Sequence, residues 1–177
     1  MTMTLMTNIV LAAFAALLLW AAVGDWRRFL IPNRISLALV ALWPLWGLAV
    51  QAGGGDVPWL AGPLCAAAVL VAGLVMFSLG AMGGGDVKLM TGVALWAGPG
   101  QFVPFLLVTV VAGVLLALVS ALRTGVSAGQ GRPRGGAAAL VSGFINLRHV
   151  PVSGLTVPYG VAIAAGGLWV AGSLAVA

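Results

Sequence analysis

Asp25, Asp56 and Asp86 are the only acidic side chains in a chain of 177 residues. Asp25 and Asp86 stand where apolar stretches meet basic or glycine-rich connections. Two carboxylates brought close together cannot both ionise easily, so one holds a proton while the other stays charged. The charged member can take a proton from water as that water attacks a carbonyl, and the protonated member can polarise the carbonyl oxygen. This is peptide hydrolysis that needs neither a metal nor a nucleophilic side chain. It suits a chain with one histidine, His149, and one cysteine, Cys65, for which no metal site and no cofactor are expected. Cys65 lies in an apolar run and is expected to be a small buried hydrophobe, and His149 a solvated interface histidine.

The elements that would position such a pair follow from composition. With 62% hydrophobic and 6% charged residues and a mean hydropathy of +1.17, the chain has too little polar surface to coat a soluble globule. It is expected to be an all-α integral membrane protein, because lipid leaves backbone groups no partner outside a helix or a closed barrel. Apolar runs at 8–23, 35–50, 57–80, 87–97, 102–122 and 155–177 predict about six transmembrane helices in one polytopic domain, 1–177. The fourth run is short: 11 residues rise roughly 17 Å, against a hydrocarbon core of about 30 Å. It needs flanking residues, or a thinner bilayer. Nothing before Asn8 is basic, so the first run is expected to be a retained helix rather than a signal peptide.

Orientation follows from the basic residues. Arg27, Arg28 and Arg34 fall in the first connection, Lys88 in the third, and Arg123, Arg132, Arg134 and Arg148 in the fifth. Six alternating spans put all of them on one side, which the positive-inside rule makes the cytoplasm, with both termini outside. The net charge of +5, scattered between apolar spans, points to anionic lipid headgroups rather than nucleic acid. Trp59 and Trp96 are expected near outer span ends and Trp20 and Trp26 near an inner end, at headgroup level, with Trp43, Trp46 and Trp169 as packing residues. Residues 123–154 are expected to form a flexible cytoplasmic loop. Within it, the apolar patch 137–147 either lies along the inner membrane surface or is irregular.

The sequence Gly-Gly-Gly-Asp-Val occurs twice, at 53–57 and at 83–87, and topology separates the copies. Asp56 falls in a short outer connection beside Pro58 and reads as a solvated turn residue. Asp25 and Asp86 share the cytoplasmic boundary and can meet there. Salt bridges of Asp25 with Arg28 and of Asp86 with Lys88 are the plainer alternative. The glycines before Asp86, Gly83 and Gly85 among them, remove side chains from its approach. Another backbone could then come close, either that of a substrate or that of a packed helix. Lys88 could tune Asp86 or bind lipid phosphate. Arg27 and Arg28 read chiefly as topology anchors, and Asn33 as a side-chain cap of the second span. Pro158 must interrupt hydrogen bonding near the inner end of the last span, so freed backbone there could help hold an extended substrate.

Asp25 followed by Arg27, Arg28 and Ile31-Pro32-Asn33, then Gly83-Gly84-Gly85-Asp86-Val87-Lys88, then Val157-Pro158-Tyr159-Gly160, together resemble the type IV prepilin leader peptidases, which are Gly-x-Gly-Asp intramembrane aspartyl proteases. The resemblance covers nearly the whole chain. It implies that Asp25 and Asp86 form a catalytic dyad, with Gly83, Gly85, Lys88, Pro158, Tyr159 and Gly160 as substrate-positioning or supporting residues. It also implies a prepilin or pseudopilin substrate, whose short basic leader is removed at the cytoplasmic face of the bacterial inner membrane. Larger members carry a cytoplasmic insert with paired cysteines and also methylate the new amino terminus. This chain has no such insert, so methylation is not expected, and it looks more like the short peptidases of tight-adherence (Flp-type) pilus systems. An archaeal-type preflagellin peptidase shares the chemistry. Two other classes fit the bare pattern: a small proton or ion transporter using the two aspartates, and a noncatalytic scaffold of a pilus or secretion machine.

Overall fold

The computed structural model describes residues 2–127 and 158–176. They form five helices: α1, Thr2–Arg28; α2, Asn33–Ala52; α3, Ala61–Ser78; α4, Gly84–Ser127; and α5, Tyr159–Val176. Each contains a stretch long and apolar enough to cross a membrane, and no strand occurs among the described residues. Most of the expected cytoplasmic loop, with Arg132, Arg134, His149 and the apolar patch 137–147, lies outside them.

The expected fourth and fifth spans are fused in α4. As one straight rod, its apolar part of 37 residues would run roughly 55 Å, nearly twice a hydrocarbon core. It is broken at Gly98, where φ is 51° and ψ is −170°, a conformation essentially restricted to glycine. Pro99 follows, its fixed φ suiting the first position of a new helical arm.

Contacts with α5 show what the break does. In the first arm, Val93 lies with Leu18 of α1 over the Cβ position of Gly167, while Gly85 and Gly160 share the Ile31 side chain. Residue numbers therefore rise together in the first arm and in α5. In the second arm, Phe105 and Thr109 face Gly166, and Gly113 faces Ala162 and Tyr159, so numbers fall as those of α5 rise. The two arms run in opposite directions, and the chain doubles back at Gly98.

The remaining helices keep the alternation. Lys88 meets Asn33 at one end of α2, and further along Trp96 donates its indole N–H to the Leu39 carbonyl at 2.9 Å, so α2 runs parallel to the first arm. Gly62 lies against Leu95 and Gly73 against Val87, which makes α3 antiparallel to it. Small residues permit these approaches: a Cβ on Gly62 would stand 2.8 Å from the Leu95 carbonyl oxygen, the close packing that substitutes in lipid for a hydrophobic driving force.

The core is richest above the aspartates. Phe14, Leu18, Leu39, Val93 and Phe105 are fully buried, and Phe14 stacks on Trp96 with ring centroids 4.2 Å apart. Trp96 is thus a core residue, not the headgroup-level ring expected, because its polar edge finds a carbonyl inside the bundle. Trp43 and Trp46 are buried as expected. Trp169 is not a packing residue but is 54% exposed on the outer surface of α5. Cys65 is only half-buried.

Candidate active site

Asp25 and Asp86 lie at the same end of the bundle, each held by the start of a helix. Asp86 is the third residue of α4, whose first turn it shares with Gly84 and Gly85. From there its carboxylate reaches back to the backbone N–H of Gly83, which satisfies one of the donors that a helix start leaves open. A side chain on Gly83 would collide with this return, its Cβ falling 2.9 Å from Asp86 Oδ2.

Asp25 is in the last turn of α1, but its partner is the start of α5. Gly160 N–H donates to Asp25 Oδ2 at 2.7 Å, while the next N–H, that of Val161, bonds to the Pro158 carbonyl at 3.2 Å. Pro158, buried just before α5, has no N–H of its own and sets the turn that presents the next ones. Asp25 therefore caps a helix 135 residues away, where unpaired donors and the helix dipole both favour a carboxylate. It is only 5% exposed. Asp25 and Asp86 are within electrostatic reach of each other.

Ile31, in the sequence only one residue of the Ile31-Pro32-Asn33 motif, joins the two halves of the site. Its side chain lies 2.8 Å from where a Cβ on Gly160 would be and 3.4 Å from where one on Gly85 would be. The missing side chains at Gly85 and Gly160 are the signal that could have found it, since something bulky must fill the space between two such positions. Ile31 belongs to the elbow between α1 and α2, which begins with Phe29 at φ 50°, an uncommon value for a bulky residue.

Other expected residues divide between this end and elsewhere. Lys88 donates from Nζ to Asn33 Oδ1 at 3.0 Å, which ties the starts of α2 and α4 together. Asn33 is not the cap of α2: Pro32 holds the cap position with no side-chain cap bond, and the Asn33 amide is turned to Lys88 instead. Tyr159 is exposed beside Gly160. Asp56 is exposed and belongs to the opposite end, where Trp59 covers Gly47. Among the described residues no group of His, Cys, Asp or Glu could hold a metal ion.

Two carboxylates with separate backbone cradles, within electrostatic reach of each other and bonded to no cation among the described residues, can share a proton and act on one water and one carbonyl. A family model described as the type IV leader peptidase family matches residues 12–118, which include both aspartates. No curated protein and no solved structure matches the chain.

Proposed function

The chain belongs to the type IV leader peptidase family, and from that premise we propose that it is an intramembrane aspartic endopeptidase in which Asp25 and Asp86 are the catalytic pair. The observation that carries this reading is their convergence on two helix starts, with Gly160 N–H on Asp25 and Gly83 N–H on Asp86. Both carboxylates are thereby oriented by backbone donors, with no lysine or arginine among the described residues paired to them. The charged member removes a proton from water as its oxygen bonds to the scissile carbonyl carbon, and the protonated member gives its proton to the carbonyl oxygen. Collapse of the tetrahedral intermediate breaks the C–N bond, and the leaving amine takes a proton back from the pair.

The substrate is a prepilin or pseudopilin of the Flp type, with a short basic leader and an apolar helix. Arg27, Arg28, Arg34 and Lys88 cluster near the aspartates, which supports a cytoplasmic position for this end in a bacterial inner membrane. The opposed arms of α4 support six crossings, with both termini outside. Gly83 and Gly85 keep the approach to Asp86 free of side chains. Pro158, Tyr159 and Gly160 form the wall opposite, and Lys88 braces the elbow through Asn33.

Co-expression with an epitope-tagged Flp-type prepilin tests the reading, with leader removal followed by gel shift. Wild type should process the prepilin, and Asp25→Ala and Asp86→Ala should insert normally and fail to process it. Full processing by Asp86→Asn would remove the mechanism, and a scaffold role would survive the loss of both aspartates.

A further inference from the structure

On the side of the α1–α2 elbow away from α5 lies a half-open cavity of about 590 Å³, lined by Trp20, Val23, Arg27, Arg28, Leu30 and Asn33 among others. Its wall is graded along α1. Trp20 and Val23, one to two turns inside the apolar span, are 63% and 51% exposed, while Arg27 and Arg28 form the outer edge. This is the layout of a site for an amphiphile, with an apolar wall along the span and two exposed cations at its end.

No carboxylate side chain of the chain is paired with these arginines. Three carboxylate side chains exist in all: Asp25 is buried and bonded to α5, Asp86 turns back to Gly83, and Asp56 is at the other end of the bundle. Guanidinium groups are planar forks that match phosphate oxygens two at a time. Basic recesses between transmembrane helices on the cytoplasmic side suit anionic headgroups, and a neighbouring tryptophan suits the same depth.

We propose that the elbow cavity binds one anionic phospholipid, its phosphodiester on Arg27 and Arg28 and an acyl chain along Trp20 and Val23. The site does not depend on the aspartates being catalytic. It does bear on them, because Ile31 and Pro32 line the cavity while the Ile31 side chain lies between Gly85 and Gly160.

The test uses the purified full chain in a neutral detergent, with phosphatidylglycerol or phosphatidylcholine titrated in and bound lipid counted by native mass spectrometry. Wild type should retain phosphatidylglycerol in preference. Arg27→Gln and Arg28→Gln should each weaken that retention roughly fivefold, the ratio corresponding to the usual attraction of one basic residue to an anionic surface. Arg34→Gln, outside the cavity, should leave it unchanged. Val23→Trp keeps every charge but fills the apolar wall, and should weaken both lipids. If a glutamine variant fails to fold, Arg27→Lys and Arg28→Lys serve in its place, with partial retention expected. Equal retention of the two lipids, or an undiminished preference in a folded Arg27, Arg28 double variant, would overturn the proposal. So would displacement of the lipid by inorganic phosphate or by an acidic peptide at matched concentration.

Discussion

The same five residues, Gly-Gly-Gly-Asp-Val, do opposite things at 53–57 and at 83–87. The first copy ends a helix. Gly53 caps α2, Gly54 takes a φ of 86°, Gly54 N–H bonds to the Gln51 carbonyl and Gly55 N–H to that of Val50. This is the paired closure in which a left-handed glycine returns the chain over the last carbonyls. The second copy begins a helix, and Asp86 there accepts a backbone N–H from Gly83. A helix end offers carbonyl oxygens and the negative pole of the dipole, neither of which holds a carboxylate, whereas a helix start offers open N–H groups. Only the valines agree, both being buried. The two copies differ in which helix end they occupy and in what arrives opposite, which for the second is Asp25 and the start of α5.

The largest contrast should come from the aspartates themselves. Asp86→Ala and Asp25→Ala are each expected to lower prepilin cleavage at least about a hundredfold, the usual scale for losing a positioned acid or base. Asp56→Ala should stay within about twofold of wild type. A comparable loss at Asp56 in the gel-shift assay would mean that the two copies are not functionally distinct.

Next comes the approach to each site. A Cβ on Gly160 would stand 2.8 Å from Asp25 Oδ2 and the same distance from Ile31 Cδ1, so Gly160→Ala must displace one or the other. A loss of roughly tenfold or more in turnover is expected, measured on protein shown to be folded by its melting temperature. In the first copy, by contrast, Gly54→Ala meets no atom within 4 Å but forces alanine into a left-handed backbone, at about 1 kcal/mol. That variant should melt lower and cleave normally. The pair separates a cost in geometry at the site from a cost in stability alone.

Much of this arrangement is readable from the chain, because hydropathy and charge are written into composition. Four of the eight basic residues, Arg27, Arg28, Arg34 and Lys88, lie at the aspartate end of the bundle, and Asp56 lies at the other. What could not be read depends on partners distant in sequence. Nothing local to Asp25 announces that α5 supplies its donors, and nothing local to Trp96 announces the Leu39 carbonyl that lets an indole sit in the core. Asn33 follows a proline, as a helix cap often does, but a lysine 55 residues away competes for its oxygen. Gly98-Pro99-Gly100 did carry a local signal. It marks the boundary between the fourth and fifth apolar runs, although one glycine there turns the chain where a longer loop would be the usual expectation.

Ile31 gives a smaller test, confined to the second copy. It is half-buried and fills the space between Gly85 and Gly160, so Ile31→Ala opens a gap there. Full burial would put the cost in the range of 2–5 kcal/mol. At partial burial roughly 1–2 kcal/mol is expected, together with a several-fold fall in cleavage as the two aspartates lose their common spacer. Ile31→Val should recover most of both. An unchanged rate for Ile31→Ala would show that each carboxylate is held adequately by its own helix start.

The smallest effect should lie at the rim, in the hydrogen bond from Lys88 to Asn33. It is exposed, and an exposed contact of this kind is worth about 1 kcal/mol or less. Asn33→Ala and Lys88→Met should therefore lower the melting temperature slightly and cleavage no more than about threefold. If the bond acts only as a brace between α2 and α4, the double variant should be no worse than either single one, because the first substitution already removes the whole interaction. A Lys88→Met loss far beyond that of Asn33→Ala would instead give the ammonium a separate task beside Asp86. The first copy has no such residue, for the position after its valine is Pro58.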